Sequence, residues 1–204
     1  MPGIIAQVFV HRLVEFRPVL VNYILMEVLK PLLVVIIATM ILFGCSSHMD
    51  WHTASRESAG IAPDPAVTNE AVLHVYGADA WSWRGWFAIH TWIAAKRTGE
   101  SDYTVYDVIG WRGSQVLGIR QDIPDRYWYG AKPRLLKAHR GEGVEELIDA
   151  VDKAAHVYPW KTSYKVFPGP NSNTFTAWIA MQVPELELKL PFSAIGSGYA
   201  SQGN

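Results

Sequence analysis

Cysteine is almost absent from the 204-residue sequence, and the single thiol, Cys45, excludes an internal disulfide framework, a cysteine-based zinc site and an iron–sulfur cluster. Runs of basic residues are missing as well. With 18 Lys and Arg against 19 Asp and Glu the net charge is -1, so no nucleic acid is expected as a partner. No internal repeat occurs, and no metal ion or cofactor is expected. Charge of either sign is absent from residues 31–47, and Trp is absent from residues 1–50 although the chain carries nine. The two gaps divide the chain into an aliphatic start and an aromatic-rich remainder. The remainder is long enough to bury a core of its own.

Residues 32–44 read LLVVIIATMILFG, preceded by Lys30 and followed by Cys45-Ser46-Ser47. Two readings stand side by side. One is an uncleaved membrane anchor with Lys30 on the cytoplasmic side, as the positive-inside rule prefers. The other is a signal peptide, with a basic flank, a short apolar stretch and a small residue before the cut. Leu42-Phe43-Gly44-Cys45 resembles the bacterial lipobox, which implies lipidation at Cys45. Read from Met26, the segment has ordinary signal proportions, so Met26 rather than Met1 is the expected start. Either reading makes residues 1–45 an anchor or lipoprotein signal and the membrane a partner. The rest is then expected to face the periplasm or the cell exterior.

Residues 46–69 are rich in Ser, Ala, Pro and Asp and lack hydrophobic period, the composition of a tether. Extended at about 3.1 Å per residue, such a tether reaches roughly 75 Å. His48 and His52, with Asp50 between them, are read as incidental to it rather than as metal ligands. From residue 70 to 200 the pattern predicts an α+β domain, an antiparallel sheet with packed helices. Strands are expected at residues 71–78, 87–96, 103–111, 115–119 and 134–139, the second and third joined as a hairpin across residues 97–101. Apolar residues at helical spacing from Val144 to Ala155, with Glu145 and Glu146 in the first turn, predict one helix. A second is expected from Asn171 to Val183, stopped by Pro184.

Two places invite a chemical reading: His90 on the second strand, and Pro168-Gly169-Pro170-Asn171-Ser172-Asn173-Thr174-Phe175 at the start of the second helix. A helix N-terminus aims unpaired N–H groups at one spot with about half a positive charge behind them. That setting suits a nucleophile and a developing oxyanion. The Trp81-Ser82-Trp83-Arg84-Gly85-Trp86 cluster reads either as a stacking platform for sugar or peptide, or as core filling and a membrane-facing edge.

A strand-borne His, a further strand, then Asn-x-x-x-Phe opening a helix resembles the circularly permuted papain-like fold of the permuted NlpC/P60 hydrolases, the lecithin:retinol acyltransferase-like proteins and the PPPDE peptidases. In those groups a Cys stands where this chain has Ser172. Over nearly the whole chain from Trp51, the stretches TASRESAGIAPDP, WSWRGWFAIHTWIA, PGPNSNTF and LPFSAIG resemble the bacterial DUF3750 family, which implies a membrane segment in front but lends no activity. The papain-like resemblance implies Ser172 as nucleophile and His90 as base of an amide or ester hydrolase acting on envelope peptides or lipids. Asp107, on the partner strand of the hairpin, is the expected orienter of His90. The N–H groups of the helix start, helped by Asn171 or Asn173, would form the oxyanion site. The alternatives are a binding module that kept the cleft and lost the chemistry, and a structural envelope protein. In both, Asn171, Ser172 and Asn173 are simply helix-capping residues.

Overall fold

A computed structural model describes Tyr23, Glu27, residues 29–43 and residues 50–203. The chain divides into two units, Met1–Met49 and Asp50–Asn204. In the first, α1 spans Lys30–Phe43. Its fourteen residues rise about 21 Å, short of the roughly 30 Å of bilayer hydrocarbon. Among the described residues no helix is long and apolar enough to cross a membrane. Met26, Cys45 and His48, on which the start site, lipidation and metal questions turn, lie outside the described residues.

In the second unit, period-2 runs of β-branched and aromatic residues form five strands: β1 (Val72–Asp79), β2 (Ile89–Lys96), β3 (Thr104–Val108), β4 (Leu117–Gln121) and β5 (Arg134–Arg140). They make one antiparallel sheet in the order β4-β3-β2-β1-β5. Two helices follow, α2 (Val144–His156) and α3 (Ser172–Gln182). The fold is α+β.

Alternation along the strands builds two cores. Leu73, Val75, Ile93, Ala95, Tyr106 and Val108 face α2 and α3, whose Leu147, Ile148, Val151, Phe175 and Ile179 complete that layer. Each fully buried Val, Leu, Ile or Phe among them contributes about 1.5–3 kcal/mol of transfer free energy. Val72, Tyr76, Ala78, Trp92, Ala94 and Val105 point the other way, against Tyr103, Ile109, Trp128 and Tyr129. Part of the stretch with tether composition covers this second face: Ala54, Ile61 and Ala62 pack on it. The buried Asp125 carboxylate fixes their course, accepting from the Ser58 hydroxyl at 2.7 Å and from the Ile61 and Ala62 N–H groups at 2.5 and 3.0 Å. A buried carboxylate must find donors, and composition alone does not reveal that these residues supply them.

Candidate functional site

The start of α3 is built by two asparagines. Asn171 is extended (φ -145°), and its Oδ1 accepts from the N–H groups of Asn173 at 3.0 Å and Thr174 at 3.1 Å. The Thr174 hydroxyl accepts from the Asn171 N–H at 3.0 Å, closing a capping box. The Asn171 Nδ2 donates to the carbonyls of Val166 at 3.0 Å and Ile195 at 3.1 Å. Gly196, at φ +91°, is required here, because a Cβ would run into the Asn171 amide. Asn173 is equally committed: its Nδ2 donates to the carbonyls of Ile89 and Ile195, both at 2.9 Å, and its Oδ1 accepts from the Thr91 hydroxyl at 2.9 Å. The hydroxyls of Thr91 and Thr176 meet at 2.5 Å, pinning α3 to β2.

This geometry corrects the expected roles of Asn171 and Asn173. Their polar atoms, and the N–H groups of Asn173 and Thr174, are spent on holding the helix start. They do not form an oxyanion site. What remains is Ser172, whose hydroxyl has no hydrogen-bond partner among the described residues although the residue is only 3% exposed. It lines a cavity of about 520 Å³ walled by Trp81, Trp83, Phe87, Trp111, Trp128 and Phe167, which His90 also lines.

His90 and Ser172 line that one cavity, with no hydrogen bond between them among the described residues. Thr91, the next residue along β2, faces α3, so the pleat turns His90 to the opposite face. There its ring lies flat on the Trp128 indole, with centroids 3.5 Å apart and planes 5° from parallel. Its Nε2 is enclosed and has no hydrogen-bond partner. Burial, then the nearby Arg126 and Arg112 guanidinium groups, hold its pKa well below the usual histidine range. The ring is neutral at pH 7.

Asp107 does not orient His90, which is a second correction. The hairpin pairs Ile93 with Tyr106, so residue 90 lies level with 109, not with 107. The fully buried Asp107 carboxylate is taken by three guanidinium groups: Arg112 at 2.7 Å, Arg120 at 2.8 Å and Arg126 at 2.9 Å. Asp122 bonds Arg120 at 2.6 Å and also Arg126, closing a network. Thr91, Trp128 and this arginine cluster escaped the sequence reading. Strand alternation was the available signal for Thr91, since adjacent residues cannot share a face; no spacing rule announces the other two. Among the described residues no group of His, Cys, Asp and Glu is arranged to hold a metal ion.

The sequence pattern of the family described as "Protein of unknown function (DUF3750)" matches residues 70–199. The chain belongs to the DUF3750 family. No curated protein and no solved structure matches it. The matched DUF3750 region holds all five strands, both helices against the sheet and every residue of the Ser172–His90 cavity. It leaves out residues 54–62, which cover the second face.

Proposed function

We propose that this DUF3750 domain is a ligand-binding module of the cell envelope, held at the outer face of a membrane through residues 1–45. Its cleft takes an apolar or aromatic group of an envelope peptide or lipid, with Ser172 as the polar contact at its floor. One observation carries this reading: Thr91, not His90, faces the helix that presents Ser172. Among the described residues no hydrogen bond joins the Ser172 hydroxyl to His90 or to another base, and a serine hydroxyl without a base is a weak nucleophile. The cavity volume lies in the range of ordinary small-ligand sites, and its walls are mostly apolar, rich in Trp and Phe, with polar groups at Arg84, His90 and residues 171–173. Leu32, Leu33, Val34 and Val35 of α1 are each more than half exposed, which supports attachment to an apolar phase. The order of strand-borne His90, hairpin and helix-start Ser172 supports a permuted NlpC/P60 type fold that kept its cleft with Ser in the cysteine position.

The hydrolase reading keeps one observation in its favour, the unpaired Ser172 hydroxyl in the same cavity as a neutral imidazole. The two readings separate when the Asp50–Asn204 unit and its Ser172→Ala variant are titrated with muropeptides and with a lysophospholipid, following tryptophan fluorescence and product formation. Binding of one probe by both proteins with no product, and no labelling by a fluorophosphonate, is the expected result. Turnover or labelling that Ser172→Ala abolishes would establish the hydrolase instead.

A further inference from the structure

Three separate segments that contribute to the cavity wall also leave large apolar side chains in solvent. The 3-10 turn Ser82–Trp86 and the residue after it expose Trp83 by 58%, Trp86 by 84% and Phe87 by 54%. In residues 163–170 Phe167 is 75% exposed, and in residues 188–195 Phe192 is 100% exposed. Trp83, Phe87, Phe167 and Ile195 line one cavity, and the Ser193 carbonyl accepts from the Ile89 N–H at 3.0 Å, so the three segments surround a single opening. Monomeric proteins rarely leave so many large apolar groups together in water.

The charges on the same segments are all of one sign. Residues 81–88 carry Arg84, residues 163–170 carry Lys165 and residues 188–195 carry Lys189, with no Asp or Glu in any of the three. None of these cations lies within salt-bridge distance of a carboxylate among the described residues, although Glu187, just before the third segment, interacts with Lys189 through space; Arg97, Arg112, Arg120, Arg126, Arg134 and Arg140 are all ion-paired. Exposed Trp and Phe beside unpaired Arg and Lys is the chemistry of the water–lipid interface: rings enter the headgroup level and cations meet anionic headgroups.

We infer that this rim is a docking surface for an anionic lipid bilayer, separate from any attachment through residues 1–45, with the cavity mouth turned toward the lipid. The proposal goes beyond the binding reading, because it holds whatever occupies the cleft. The occupant is a bilayer rather than a protein because the most exposed rings, Trp86, Phe167 and Phe192, come singly from three separate segments, and the cations beside them match anionic headgroups.

The Asp50–Asn204 unit carries the whole sheet, α2, α3 and both cores, so it is tested without the first segment. It is floated with vesicles of phosphatidylcholine containing a minority of phosphatidylglycerol, and with phosphatidylcholine alone. Flotation is expected, stronger with the anionic vesicles. The combined Trp86→Ser, Phe167→Ser and Phe192→Ser variant is expected to bind at least about tenfold more weakly, with an unchanged near-ultraviolet circular dichroism spectrum. Arg84→Gln with Lys165→Gln and Lys189→Gln is expected to abolish the preference for anionic vesicles. Absence of flotation, equal flotation of the aromatic variant, or a rim-dependent dimer that ignores vesicles would each overturn the proposal. Muropeptide and lysophospholipid binding is read without vesicles, so failure of the cleft reading is seen separately.

Discussion

Among the described residues, His90 and His74 are the two imidazoles whose Nε2 atoms are enclosed without a partner. The His74 pKa is pushed down to about 4, first by burial and then by Arg140, and His90 is lowered in the same direction. Both are neutral in the fold. In the unfolded chain they take up protons below about pH 6.5, so the unfolded state binds more protons between that value and the folded pKa. Their contribution to stability is therefore complete above pH 6.5 and is lost as pH falls below it toward the folded pKa, which for His74 is about 4. Unfolding free energies from urea titrations between pH 7 and pH 4.5 should decline accordingly, by about 1–2 kcal/mol at pH 5 for His74 and in the same direction for His90. His90→Phe keeps the stack on Trp128 and removes the orphaned nitrogen. It should leave stability at pH 7 equal or higher and make the acid decline shallower; an unchanged slope would contradict a buried neutral His90.

The start of α3 shows how an element and a site compete for the same atoms. Asn171 supplies one acceptor to two N–H groups and two donors to the Val166 and Ile195 carbonyls, while the Ser172 hydroxyl supplies nothing to the helix. Asn171→Ala should therefore cost about 1–2 kcal/mol, the range of a lost N-cap, and Ser172→Ala less than about 0.5 kcal/mol. Chemical denaturation of the two variants checks the pair. A large loss in Ser172→Ala would mean that the hydroxyl is structural after all. The cap itself was legible, because Asn before an apolar helical run is a standard start signal. That Asn173 also ties down β2 at Ile89, and that both asparagines hold the chain at Ile195, was not legible, because those partners lie more than twenty positions away.

At the scale of the whole molecule, the family pattern begins at residue 70 while the folded unit begins at Asp50. The difference is physical. Residues 54–62 cover the second face of the sheet and bring three donors to Asp125, which is 1% exposed. A fragment beginning at residue 70 leaves that carboxylate buried without them and uncovers Trp92 and Tyr76. It should be less stable than the Asp50–Asn204 unit by at least about 3 kcal/mol in urea. Equal midpoints for the two fragments would show that residues 54–62 contribute little to the fold.

Five strands, two helices and the Asn171 cap follow from the order of residues alone, because alternation, helical spacing and turn residues act over a few neighbours. That order also brought out His90 and Ser172, which the fold does set around one cavity. That His90 turns away from α3, that Asp107 serves three arginines, and that residues 54–62 lie on the sheet emerges only on folding. Those outcomes depend on strand register and on which buried charge meets which donor. Both are set by packing between distant segments and leave no periodic trace along the chain.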